Sequence, residues 1–513
     1  MKKNDRTSKV LKNAKISLLF VLVSLFLNFI SRSVFINSLG PKILGLNTIA
    51  TNLIGFLNLA ELGISAAIAS SLYKPLAENN KKDIAEIIAV QGWMYKKIAY
   101  IIMISAIFLM FFFPIIFKKT ELPLWYAYSI FGVLLLSSLL TYFITYKQVL
   151  LVADMKEYKL IFVIKGAQIL KIIFQILALI YLTNSFFYWV ILELIYGISS
   201  AMILKKIIEE EYPWLNINKS EGRKLKDKHQ YIIKHTKQLF FHKFSAFVLM
   251  QTTPIVIFAY ASLTMVSIYD NYMMIVIGIV SLTTAVFSSL QPAIGNLVAT
   301  KKTKEVLNFF YEYASLRFWL ASVVCVVFYF QSNSFISLWV GEEFILEKNV
   351  FLCFVIYLFL SLTRVVDPFI YAYSLYGDIY APILEAFINL TLSIILGYLF
   401  GLQGILIGVI VSLLIIIFFW KPYYVFNNGF SLGVMGYFRR IFFYMFAISI
   451  SITLIFLLNK FFICVGGGVV EFIVNSIIVF LKYSLVSSFV FFILFPEFRN
   501  VIFRIKSAFL GRF

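Results

Sequence analysis

Charge, cysteine and histidine are all scarce in this chain, and each shortage removes a class of protein. Only 14% of the 513 residues are charged, while 61% are hydrophobic. A soluble domain could not bury so much apolar side chain, whereas about 20 apolar residues suffice to cross a bilayer. The three cysteines, Cys325, Cys353 and Cys464, lie in or beside apolar runs without paired spacing, so neither a disulfide framework nor a zinc site follows. The three histidines, His229, His235 and His242, fall at spacings that do not share a helix face, and they read as residues of a solvated loop. No Walker-type phosphate loop is present, so the chain does not hydrolyse ATP itself. Acids are scarcer than bases, 25 against 45, which leaves a formal net charge of +20.

What is present is one hydrophobic run after another. Uncharged stretches such as 98–117, 244–269 and 271–300 are each long enough for one crossing, and 386–420 is long enough for two. They read as helices, because an isolated strand leaves its backbone groups unsatisfied in lipid. The first run, 16–36, is longer than a signal-peptide core and ends in Gly40-Pro41 without a small-x-small site, so it reads as a retained span. The expected fold class is an all-α polytopic membrane protein with about fourteen transmembrane helices, at 16–37, 46–72, 96–117, 124–147, 158–182, 186–204, 241–263, 270–299, 314–338, 349–373, 379–400, 403–426, 440–462 and 470–495.

With a cytoplasmic N-terminus, about 34 of the 45 Lys and Arg fall on the inner side. The basic excess therefore reports topology and contact with membrane lipids, and nucleic acid is not needed to explain it. An even number of spans puts both termini in the cytoplasm. The predicted organisation is a six-helix lobe at 1–204, a cytoplasmic inter-lobe linker at 205–240, a second six-helix lobe at 241–426, two additional spans at 427–495, and a basic amphipathic tail at 496–513 lying on the inner surface. An ungapped shift of 222 residues lays Leu76-Ala77-Glu78-Asn79-Asn80-Lys81-Lys82-Asp83-Ile84 over Val298-Ala299-Thr300-Lys301-Lys302-Thr303-Lys304-Glu305-Val306, each after the second span of its lobe. That is where a duplicated six-helix unit would require similarity.

A charge at bilayer depth costs about 3 kcal/mol or more, which makes each one a site hypothesis. Asn28 and Arg32 stack on the first span, and Asn58 and Glu61 lie on the second. Lys165, Gln168, Lys171 and Gln175 form a polar stripe on the fifth. Arg317 begins the ninth, Arg364 and Asp367 share the tenth, Glu385 and Asn389 share the eleventh, and Glu193 and Lys482 stand alone. Structural readings compete with functional ones: Arg364 with Asp367, or Arg32 with Glu61, make ion pairs, and Arg317 and Lys165 snorkel to the headgroups. Cations outnumber acids in this set, and a cavity they faced together would suit a phosphate-bearing ligand.

Three stretches then resemble a known family, the polysaccharide-biosynthesis flippases of O-antigen and capsule type, within the superfamily that also holds multidrug exporters and the peptidoglycan-precursor flippase. They are Arg32 with Leu39-Gly40-Pro41-Lys42-Ile43-Leu44-Gly45-Leu46 and Ala60-Glu61-Leu62-Gly63-Ile64; Phe335-Ile336-Ser337-Leu338-Trp339-Val340-Gly341; and Glu385-Ala386-Phe387-Ile388-Asn389-Leu390-Thr391-Leu392-Ser393 running to Gly401-Leu402-Gln403-Gly404-Ile405. The resemblance implies an alternating-access carrier, not an enzyme, in the bacterial inner membrane. It would flip polyprenyl-diphosphate-linked oligosaccharide, with two last helices forming a groove for the polyprenyl tail and a polysaccharide polymerase and chain-length regulator as partners. It places Arg32 on the diphosphate. Lys165, Lys171, Arg317 and Arg364, with Asn28, Gln168 and Gln175, join the cavity by depth and charge. Glu61 or Asp367 is the candidate for proton or sodium coupling, since a carboxylate in a low-dielectric cavity has its pKa raised. Glu385 and Asn389 are expected to hold spans eleven and twelve together. The alternative is a cation-coupled drug exporter of the same superfamily, against which the basic fifth span argues.

Overall fold

A computed structural model describes residues 3–510 except 155, 216–221, 289, 376, 379 and 460–467. Lys219, Lys460, Cys464 and Arg512 fall outside the described residues, as do the side chains of His235 and His242. The described residues form helices and connecting turns throughout, with no strand among them. Among the described residues, eleven helices are long and apolar enough to cross a membrane. Two of these, Leu22–Leu57 and Tyr380–Phe430, are interrupted by non-helical glycines, Gly40 (φ 82°) and Gly401 (φ 57°), and each supplies two passes. The helix Gln230–Tyr260 adds one more, which gives the fourteen passes expected from the sequence. Large apolar side chains such as Phe111, Tyr398 and Leu485 stay 70–77% exposed, a surface that only lipid makes tenable.

By packing, the chain divides into two units, Met1–Asp270 and Asn271–Phe513. In the first, the core gathers Ile68, Leu72, Ile88, Tyr95, Leu150 and Ile232. The second has an aromatic core in which Phe310 meets Phe369 edge to face, with ring centroids 5.1 Å apart, and also touches Phe426, Phe430 and Tyr437. Edge-to-face pairs contribute about 0.5–1.5 kcal/mol beyond the area they bury. Between the sixth and seventh passes the chain carries the short helix Gly222–Leu225, then helix resumes at Gln230. His229 is not solvated as expected. It is 5% exposed, with Nε2 3.1 Å from Glu86 Oε2, because the segment packs back onto the start of the helix Lys81–Phe111.

The stretch around Gly401 shows why its sequence is glycine-rich. After the break, the following helix lies so close to the preceding one that a Cβ on Gly404 would sit 1.9 Å from the Leu396 carbonyl oxygen. Asn389 Nδ2 reaches Ser412 Oγ at 3.4 Å, and Ser393 Oγ donates to the Ile405 carbonyl at 3.1 Å, all buried. We predict that Gly404→Val lowers stability by about 3 kcal/mol or more, read as loss of monodisperse protein and of melting temperature in detergent. Gly278→Ala, where a Cβ would meet nothing within 4 Å, is expected to melt within a few degrees of wild type and serves as the control.

Candidate functional site

In the first unit, Arg32 lies on the pass before the Gly40 break. Its Nη1 donates to Asp270 Oδ2 at 2.8 Å and its Nη2 to the Ser267 carbonyl at 3.3 Å. Thr48 Oγ1 donates to the same carboxylate oxygen at 3.2 Å, and Ser267 Oγ to the Pro41 carbonyl at 2.9 Å. Gly45 lets the backbones approach, since a Cβ there would stand 2.0 Å from the Leu263 carbonyl oxygen. Arg32 is therefore held by Asp270, a residue absent from the sequence-derived set, and not by Glu61. Asn28, one turn earlier, is partly exposed and makes no side-chain hydrogen bond among the described residues.

Two residues of the stripe on the helix Glu157–Tyr181, Lys171 and Gln175, form a seam against the helix Ser185–Glu211. Lys171 Nζ donates to both Glu193 oxygens, at 3.0 and 2.9 Å, and lies 4.6 Å from the Tyr196 ring centre. Gln175, buried, donates to the Trp189 carbonyl and to Glu193. Lys165 Nζ donates to Gln168 Oε1 at 3.0 Å. The expectation that Glu193 stands alone is thus corrected: residues 22 apart along two antiparallel helices meet across the connection at 182–184.

Glu61 occupies a break in the second pass. Helix gives way to a 3-10 turn at Asn58–Glu61, Gly63 adopts φ 91°, and helix resumes at Ile64. No cation pairs with the Glu61 carboxylate among the described residues; hydroxyls surround it instead. Tyr95 and Tyr142 each donate at 2.7 Å, and Ser65 donates at 3.1 Å. Tyr142 also stands 3.0 Å from Asn58 Oδ1, which accepts from Ser138 at 2.9 Å. One phenolic proton cannot serve both acceptors. Either Glu61 carries a proton and donates it to Tyr142, which donates on to Asn58, or Glu61 is ionised, accepts from Tyr142, and the Asn58 amide turns Nδ2 toward the phenol.

In the second unit, Asp367 accepts from Lys421 Nζ at 2.8 Å, and Arg364 Nη1 stands 3.9 Å away. Lys421 lies just after a π-helical stretch, Leu414–Trp420, a local widening common at functional positions. Lys421 is absent from the sequence-derived set, which pairs Asp367 with Arg364 instead. Arg317 is different. It is 6% exposed, its guanidinium carbon lies 4.5 Å from the Phe287 ring centre, and its Nε has no hydrogen-bond partner. It makes no ion pair among the described residues, and at this burial it does not snorkel to the surface. A buried guanidinium without an acceptor is costly unless an anion completes it.

These features define a polytopic helical membrane protein with charged groups set inside its spans. Among solved structures, the chain is similar to a lipid II flippase MurJ in an inward closed conformation, with TM-score 0.65, 13% identity, 94% of this chain covered and 100% of that one. It is also similar to an inward-facing multidrug resistance MATE family transporter of the MOP superfamily, with TM-score 0.57, 13% identity, and coverage of 81% and 98%. No protein-family profile and no curated protein sequence matches the chain. The chain shares the fold of these two solved structures and is a multi-pass membrane protein.

Proposed function

We propose that this protein is an alternating-access flippase that moves polyprenyl-diphosphate-linked oligosaccharide from the cytoplasmic to the outer leaflet of a bacterial inner membrane, for surface polysaccharide. The observation that carries the reading is Arg317, a buried residue whose Nε has no acceptor and which makes no ion pair among the described residues, on a fold shared with a lipid II flippase. Only the charged, sugar-bearing head needs a polar path, because the apolar tail can stay in lipid. Each unit has its own candidates for the head group: Arg32, with Asn28, Lys165 and Gln168, in the first, and Arg317 and Arg364 in the second. Both termini are placed in the cytoplasm, and a polymerase and a chain-length regulator act downstream.

For ion coupling, Glu61 is preferred to Asp367. Lys421 and Arg364 stabilise the charged form of Asp367, whereas Glu61 has hydroxyl partners that serve either protonation state by rotation. The likeness to the multidrug transporter supports a second reading, export of cationic compounds, and the same assay separates the two. In proteoliposomes, wild type is expected to expose a diphosphate-linked oligosaccharide to a membrane-impermeant sugar-modifying probe faster than empty vesicles do. Arg317→Gln is expected to slow exposure by roughly tenfold to a hundredfold, the loss of one charged hydrogen-bonding group. No exposure by a folded preparation with a matched substrate would reject the flippase in favour of the exporter.

A further inference from the structure

The last helix, Pro496–Leu510, begins one residue after the membrane-crossing helix Val469–Leu494 ends, so it starts at the level of the lipid headgroups. One side of it is spent on the second unit. Glu497 accepts from Tyr444 at 2.8 Å and from Arg440 Nε at 3.2 Å, while Asn500 and Arg504 both reach Glu312, the latter at 2.9 Å. Phe498 packs between Trp319 and Phe491. Glu312 and Glu497 are 5% and 7% exposed, so their charges depend on these contacts.

The other side touches only the crossing helix among the described side chains. Phe503 is 56% exposed and meets Phe492 of the crossing helix edge to face, with centroids 6.1 Å apart. Phe492 is itself 37% exposed, beside Phe489 at 67%, so one apolar surface continues from the lipid-facing flank of the crossing helix onto the last helix. Next to it Arg499 makes no ion pair among the described residues, nor does the exposed Arg439, and the sequence adds Lys506 and Arg512 beyond. An aromatic ring flanked by free cations at headgroup height matches one surface, an anionic bilayer, with the ring at the acyl boundary and the guanidinium groups on phosphates.

We infer that the helix Pro496–Leu510 docks on an anionic bilayer surface through Phe503 and Arg499, and that this docking holds its inner side on Glu312. The bilayer thereby clasps the second unit, whatever cargo the protein carries. Because Arg499 and Arg439 pair with nothing described, replacing both leaves the inner contacts intact, and the variant tests the surface without unfolding the unit.

The experiment is hydrogen exchange of the 496–510 amides in the full-length protein, in vesicles of phosphatidylcholine with and without phosphatidylglycerol. Protection is expected to rise roughly tenfold with the anionic lipid, to lose that rise in the Arg499→Gln, Arg439→Gln variant, and to fall in both lipids for Glu312→Gln. Equal protection in both vesicle types would overturn the inference. So would protection that follows the protein-to-lipid ratio and ignores the anionic lipid, which would assign the face to a second copy of the chain.

Discussion

Replacing Lys171 with alanine is expected to damage the folded protein more than replacing Lys171 and Glu193 together with methionine and leucine. The two side chains are 14% and 12% exposed and bonded at 2.9 Å, so the single change leaves a carboxylate in a membrane-spanning seam with, among the described residues, only the Gln175 amide donating to it. Breaking a buried pair from one side costs about 3–5 kcal/mol, whereas apolar replacement of both partners is often neutral or stabilising. In detergent, Lys171→Ala should therefore melt well below wild type, and the double variant should recover. We expect the double variant also to expose substrate at a rate within a few-fold of wild type, since the lysine is consumed by its partner. A double variant that melts like wild type but does not transport would return Lys171 to the ligand site.

The same pair shows what sequence could and could not give. The fourteen passes were legible because apolar run length and the lipid's demand for internal hydrogen bonding act on contiguous residues. Glycine breaks at Gly40 and Gly401 were visible as motifs but not as geometry. Partnerships across helices were not legible: Glu193 was seen without Lys171, and Arg32 was matched to Glu61 when its partner is Asp270, 238 residues away. Asp270 was overlooked because it falls where an apolar run starts, which reads as a boundary, and the sequence carries no record of the close approach that Gly45 permits there. His229 failed for the opposite reason, since a charged loop context hid a segment folded back onto Glu86. Periodicity reports the face a helix turns inward; which residue waits on the other side is set by tertiary contact.

Asp270→Asn is expected to tighten binding of a diphosphate-bearing head by roughly tenfold and to slow its release. Asp270 is now the anion that occupies Arg32. It is 32% exposed against 12% for the arginine, so a ligand can reach the pair from the aspartate side. The amide keeps the shape and one acceptor but removes the charge, so an incoming phosphate no longer competes with the Asp270 carboxylate for the guanidinium, a difference of about 1.5–3 kcal/mol for a charged hydrogen bond. Since a carrier must also let go, tighter binding in one state lowers turnover. Binding of a soluble diphosphate sugar by calorimetry and exposure in proteoliposomes should move in opposite directions. Arg32→Gln is the mirror case: it loses the ligand contact and leaves Asp270 uncompensated, so both affinity and melting temperature fall. The exchange Arg32→Asp with Asp270→Arg separates the roles, because it rebuilds an ion pair but moves the cation to the other helix. Stability should largely return while transport stays lost, and transport at the wild-type rate in the exchanged protein would reduce Arg32 to a structural partner.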